Sequence, residues 1–130
     1  MKVLITGANG HLGRRLASRL VNVGEVVAAV RSERAKNILL AHKDLERATI
    51  ALVDYGDPDS LARAAEGCQA VVHLVGILKE SAGNRYEDAH EGSCRALVEA
   101  VNRAGVERVI CVSILGSDLN SDNAFLASRA

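Results

Sequence analysis

The chain has 130 residues, enough for one domain with one sizeable core. Sixteen basic residues balance sixteen acidic ones, and the aromatics are two Tyr, one Phe and no Trp; no global field favours nucleic acid or an anionic membrane, and no base-stacking surface is on offer. No apolar run approaches the roughly 18 residues of a membrane span, and the opening MKVLITG lacks the pattern of a secretory leader, so the expectation is a cytoplasmic protein.

KVLIT (2–6) is an apolar run of strand length that ends on a glycine. Leu12, Leu16, Ala17 and Leu20 then recur at helical spacing, and Gly24 stands where that helix should stop. VVAAV (26–30) predicts a second strand, 33–43 a helix and TIALV (49–53) a third strand. Asp57-Pro58 is a helix start, because Asp accepts from free N–H groups and Pro is preset for the first helical position. Leu61, Ala64 and Ala65 form that helix's inner face and Gly67 ends it. AVVHLV (70–75) predicts strand four, and a long helix over 85–104 carries Cys94, Leu97, Val98 and Val101 on one face, with Gly105 after it. RVICVS (108–113) is the fifth strand. Cys68, Cys94 and Cys111 have no metal-ligand or CxxC spacing and are expected to be buried reduced thiols.

The strands are continuous apolar runs, as expected when helices cover both sheet faces. Strand–helix alternation demands parallel strands joined by crossovers. The predicted fold is therefore α/β, a doubly wound parallel (Rossmann) sheet of about five strands in the order 3-2-1-4-5, built by residues 1–130 as one domain. Its ligand crevice should lie at the C-terminal strand ends, around 6–13, 31, 54, 74–77 and 113.

The first strand runs straight into TGANGHLG. Gly7, Gly10 and Gly13 supply a tight turn, close approach of backbone to a pyrophosphate, and close packing of helix on strand. Asn9 lies in the same loop, and the N–H groups of the new helix's first turn, around His11 and Leu12, face the anion. The cofactor expected is a dinucleotide.

TGANGHLG resembles the TGxxGxxG of extended and atypical short-chain dehydrogenases/reductases. The resemblance continues through VDYGDPDSLARAAEGCQAVVHLVGI. LVGILKE, AGVERVICVSILGS and NSDNAFLASRA are most similar to the nucleotide-binding accessory subunit of respiratory complex I and its free-standing bacterial relatives.

An NAD site usually puts a carboxylate at the end of strand two; here VRSERAK brings Arg31 and, five later, Lys36. A guanidinium grips a 2′-phosphate with two parallel hydrogen bonds, so NADP(H) is favoured and NAD(H) is the alternative. Asp54 resembles the family's carboxylate for the adenine amino group, with a turn role as its alternative, and Tyr55 lies beside it on the adenine side. The resemblance implies that Leu74, Val75 and Gly76 line the adenosine side with backbone. His73 reads as a core residue of strand four, and His42 and His90 as helix-surface residues; none has a metal-ligand arrangement.

Catalysis in this family uses a Ser after strand five and a Tyr-x-x-x-Lys. Ser113 falls on the serine position, while Phe125 and Arg129 fall on the tyrosine and lysine. Phenylalanine has no transferable proton, and losing a positioned acid/base costs about 10²–10⁴-fold. Tyr86 begins the long helix and is expected to pack. The family's strands six and seven and substrate-binding part do not follow, so the expectation is an incomplete short-chain dehydrogenase/reductase with strand five as an exposed edge. That edge predicts a homodimer or a missing partner segment. By resemblance alone the partner is a respiratory assembly, with the protein peripheral to the membrane. Three readings follow: an accessory cofactor-binding domain with a degenerate site, an active oxidoreductase or nucleotide-sugar epimerase/dehydratase, and an NADP(H)-sensing regulator.

Overall fold

A computed structural model describes all of residues 1–130. The elements, in chain order, are β1 (Lys2–Thr6), α1 (His11–Leu20), β2 (Glu25–Val30), α2 (Glu33–Leu40), a 3₁₀ turn (Lys43–Leu45), β3 (Thr49–Leu52), α3 (Pro58–Ala65) and β4 (Ala70–His73), followed by a π turn (Glu87–Gly92), α4 (Ser93–Ala104), β5 (Arg108–Cys111) and a short α5 (Ala124–Ala127). The sheet order is β3-β2-β1-β4-β5, with every pair parallel. Both the fold class and the strand order match the expectation.

The alternation of side chains along β1 divides the core in two. Val3 and Ile5 join Val26, Ala28 and Val30 under Ala17 and Val21 of the α1 region and Leu39 of α2. Leu4 faces the other way and joins Val27, Ala29 and Val71 under Leu61 of α3 and Leu97, Ala100 and Val101 of α4. Leu4 and Ile5 are fully buried, each contributing about 1.5–3 kcal/mol of transfer free energy. A one-residue slip of β1 would exchange the two sets.

Helix starts follow local chemistry. Asp57 accepts from the N–H groups of Asp59 and Ser60, with Pro58 at the first helical position, and Ser32 accepts from Ala35 N–H to start α2. The predicted 85–104 helix is two pieces. The Ser93 hydroxyl donates to the carbonyl oxygens of Ala89 and His90, and the backbone widens from α to π over Glu87–Gly92.

Several expectations are corrected by burial. Val98 is 59 % exposed, and the inner face of α4 is Ser93, Ala96, Leu97, Ala100 and Val101. Leu12 is 52 % exposed, and the buried positions of α1 are Gly13 and Ala17. β5, by contrast, is the exposed edge that was expected, open along its whole length and paired with β4 alone. Of the cysteines, all free, Cys68 is buried, Cys94 half-buried and Cys111 exposed on β5. His90 is 3 % exposed, not a surface residue. No helix is long and apolar enough to cross a membrane.

Candidate functional site

The C-terminal ends of β1, β2 and β4 open on one cleft of about 840 Å³, within the usual range for a small-molecule or cofactor site. Its floor is the β1–α1 turn, shaped by two glycines. Gly7 has φ +67°, and a Cβ there would stand 2.9 Å from the Leu74 carbonyl oxygen. A Cβ on Gly13 would stand 2.5 Å from the Gly7 carbonyl oxygen and 2.7 Å from Ala8 Cα, so only glycine lets α1 sit this close to the turn. Gly10 begins α1 without a side-chain cap, and the first-turn N–H groups of His11, Leu12 and Gly13 have no backbone acceptor. An acceptor-rich anion fits those donors and the positive end of the helix dipole.

Of the sequence-predicted residues, Gly7, Asn9, Gly10, Arg31, Asp54, Tyr55, Leu74, Val75 and Gly76 line the cleft. Leu74–Gly76 lie in the loop after β4, which ends at His73. His11, Leu12 and Gly13 stand behind the turn and off the cleft wall. Lys36 is also off the wall and pairs with Glu33 at 3.7 Å, whereas Arg34 is on it. Unmarked in the sequence were Ser32, Ile38, Gly83, Asn84 and Asp88. Gly83 and Asn84 arrive on the irregular 74–86 segment, which carries no periodic pattern to place them, and Asp88 arrives on the π turn. Arg34 sat in the VRSERAK stretch and could have been taken with Arg31.

Tyr55 is a strut. Its hydroxyl accepts from Gly7 N–H at 2.7 Å and donates to the Ala29 carbonyl at 2.8 Å, joining the ends of β1, β2 and β3. Burial pushes its pKa up to about 12, against the smaller opposing effects of Gly7 N–H and Arg31. Asp54 turns one carboxylate oxygen on Gly56 N–H at 2.8 Å.

Under the cleft runs a buried polar chain. Thr6 Oγ1 accepts from Leu74 N–H (3.2 Å) and donates to His73 Nδ1 (2.8 Å). His73 Nε2 then donates to Ser93 Oγ (3.3 Å), which donates to the Ala89 carbonyl (2.7 Å). This pattern assigns His73 as neutral with its proton on Nε2. Burial, helped by Arg129, pushes its pKa down to about 4.

The side chains expected at the family's acid/base positions, Ser113, Phe125 and Arg129, make contacts within the chain. Arg129 donates to the carbonyls of Val75 and Val112, beyond the ends of β4 and β5, and Ser113 Oγ donates to the Arg129 carbonyl at 2.7 Å. Phe125 packs with Tyr86 and His90, ring centroids 5.7 and 5.9 Å away, and Tyr86 stacks on His90 at 5.4 Å. His90 accepts from Ile77 N–H on Nε2 (3.0 Å), so Nδ1 carries the proton and donates to Ser128 Oγ (2.8 Å). Burial first, and then Arg129, lower its pKa. The network joins α5 to the end of β4 and engages the Tyr86 hydroxyl and the His90 Nδ1–H.

Comparison with known proteins agrees with this geometry. Residues 7–129 match the NAD(P)H-binding family. The chain is 32 % identical over 128 residues to the mitochondrial NADH dehydrogenase [ubiquinone] 1 alpha subcomplex subunit 9 of Mus musculus, and 31 % over 127 residues to the NADH-ubiquinone oxidoreductase 40 kDa subunit of Neurospora crassa. Each alignment covers 97 % of this chain and 34 % of the relative, so the chain spans about a third of the length of these curated relatives. Among solved structures, the NADPH-dependent quinone oxidoreductase QOR2 of Escherichia coli, complexed with NADPH, superposes with a TM-score of 0.73 at 25 % identity, covering 98 % of this chain and 41 % of that one. With its glycine turn, its parallel five-stranded sheet and this match over nearly its whole length, the chain belongs to the NAD(P)H-binding family, as a Rossmann domain of the atypical short-chain dehydrogenase/reductase type.

Proposed function

We propose that this domain binds NADP(H) in preference to NAD(H) and serves as a cofactor-holding domain without proton-transfer chemistry of its own. The observation that carries the reading is the rim of the cleft beyond β2, which Arg31 and Arg34 line, while the one carboxylate of that stretch, Glu33, is off the wall and paired with Lys36. A carboxylate there would accept from the ribose hydroxyls and repel a 2′-phosphate; a guanidinium does the reverse. The pyrophosphate would lie on the α1 N-terminus, with Gly7, Asn9 and Gly10 beneath it, the adenine beside Asp54, and the backbone of Leu74–Gly76 along the adenosine. Gly13 would act by packing, and His11 and Leu12 through their backbone N–H groups. The structure of the related quinone oxidoreductase in complex with NADPH supports the same cofactor.

The accessory role rests on Ser113, Phe125 and Arg129. The hydroxyl, the ring and the guanidinium are all committed to joining β4, β5 and α5. Relatedness to respiratory-chain subunits supports a protein assembly as the partner, with this domain peripheral to a membrane.

Titration of the purified protein with NADPH and NADH, followed by nicotinamide fluorescence, tests the first claim. Tighter binding of NADPH by about tenfold or more is expected, a difference of about 1.4 kcal/mol; equal affinities would remove the Arg31 argument. Oxidation of NADPH by the unmodified protein with a quinone or aldehyde acceptor would overturn the accessory reading.

A further inference from the structure

The segment between β4 and the π turn returns across the cleft. Its tip is braced by its own backbone: Ser81 and Asn84 exchange N–H···O bonds of 3.1 and 3.0 Å around Gly83, whose φ is +75°. Its base is held by Tyr86, whose N–H donates to Glu80 Oε1 at 2.9 Å and whose hydroxyl donates to the Leu78 carbonyl at 3.1 Å. The Asn84 side chain then reaches the opposite wall, where Oδ1 accepts from Arg31 Nη1 at 3.4 Å. β2 and β4 flank β1 in the sheet, so the contact joins the residue just after β2 to the loop that follows β4. Both residues line the cleft whose floor is the glycine turn.

Arg31 takes part in none of the ion pairs of the molecule, which join Lys36 to Glu33, Arg95 to Glu91, and Arg103 to Asp59 and Glu99. Its one side-chain partner is therefore a neutral amide. An amide oxygen orients a guanidinium without neutralising it, leaving the charge and the remaining N–H donors for a dianion. We propose that Asn84 is a specificity-determining residue, which positions Arg31 across the cleft for the 2′-phosphate of NADP(H). The proposal rests on the NADP(H) reading above.

The test measures dissociation constants of NADPH and NADH for the full chain and for Arg31→Ala, Asn84→Ala and Asn84→Asp. Asn84 is half-buried on a loop outside both cores, and NADH binding reports that each variant retains its fold. Arg31→Ala is expected to collapse the NADPH preference by about tenfold or more. Asn84→Ala should lower it by roughly three- to tenfold, with NADH affinity within about twofold of the parent. Asn84→Asp should lower it further than Asn84→Ala, because a carboxylate would pair with Arg31 and repel the phosphate. A collapse with Arg31→Ala and an unchanged ratio with both Asn84 variants would overturn the role of Asn84 alone. An unchanged ratio with Arg31→Ala would overturn the NADP(H) reading and the role of Asn84 with it.

Discussion

Tyr55 uses both capacities of one hydroxyl, accepting from the turn that begins the cleft and donating to the end of β2. Removing the oxygen leaves the Gly7 N–H and the Ala29 carbonyl without that partner. Tyr55→Phe should therefore cost about 1–3 kcal/mol of stability, read as a lower urea midpoint with unchanged slope. The pH dependence follows from its pKa of about 12, raised above the ordinary value near 10. The folded state favours the protonated phenol, so this contribution is full below about pH 10 and is lost as pH rises toward 12. Tyr55→Phe should reduce the alkaline loss of stability; an unchanged alkaline limb would show that the phenol is not held this way.

At the scale of elements, α5 is only four residues long and could not persist by its own hydrogen bonds. Asn123 caps it, and Arg129, Ser128 and Phe125 fasten it to the ends of β4 and β5. Arg129→Met keeps much of the aliphatic length but withdraws the donors from the Val75 and Val112 carbonyls. Amide exchange in residues 124–129 should then accelerate by roughly tenfold or more, while β1 and β2 keep their protection. Uniform acceleration through the sheet would mean instead that α5 is part of the global folding unit. The same substitution tests whether Arg129, proposed to stand at the family's lysine position, holds the helix, since a group reserved for chemistry could be lost without freeing it.

For the whole molecule, His73 is the polar link between the two halves of the core. It reaches β1 through Thr6 and α4 through Ser93. Its pKa of about 4 lies below the ordinary value near 6.5, so the folded state favours the neutral ring. That contribution is full above about pH 6.5 and is lost as pH falls toward 4, with a limit on the order of 3 kcal/mol. His90 adds in the same direction. Carboxylates also titrate in this window, so the readout is the difference between the parent and His73→Asn: the parent should lose more stability from pH 7 to 4.5. Parallel pH profiles would place the acid sensitivity elsewhere.

The fold was legible because its signals are local and repeated. Apolar runs of strand length, helical periodicity and caps such as Asp57-Pro58 each state one element, and their alternation leaves few arrangements other than a doubly wound parallel sheet. The glycine turn was legible for the same reason, since positive φ at Gly7 and the tight contact at Gly13 permit little else. Tertiary packing decided the rest. Whether Val98 faces the core, whether His90 faces water, and what Ser113 and Arg129 touch depend on which distant elements arrive beside them. Residue type and local spacing do not encode that. The reach of Asn84 to Arg31 separates residues 53 positions apart in sequence and follows from the placement of β2 and β4 on either side of β1. By itself the sequence determined a Rossmann domain with an anion-binding turn; the three-dimensional arrangement decided which side chains meet over that turn, because such contacts depend on strand order and loop path.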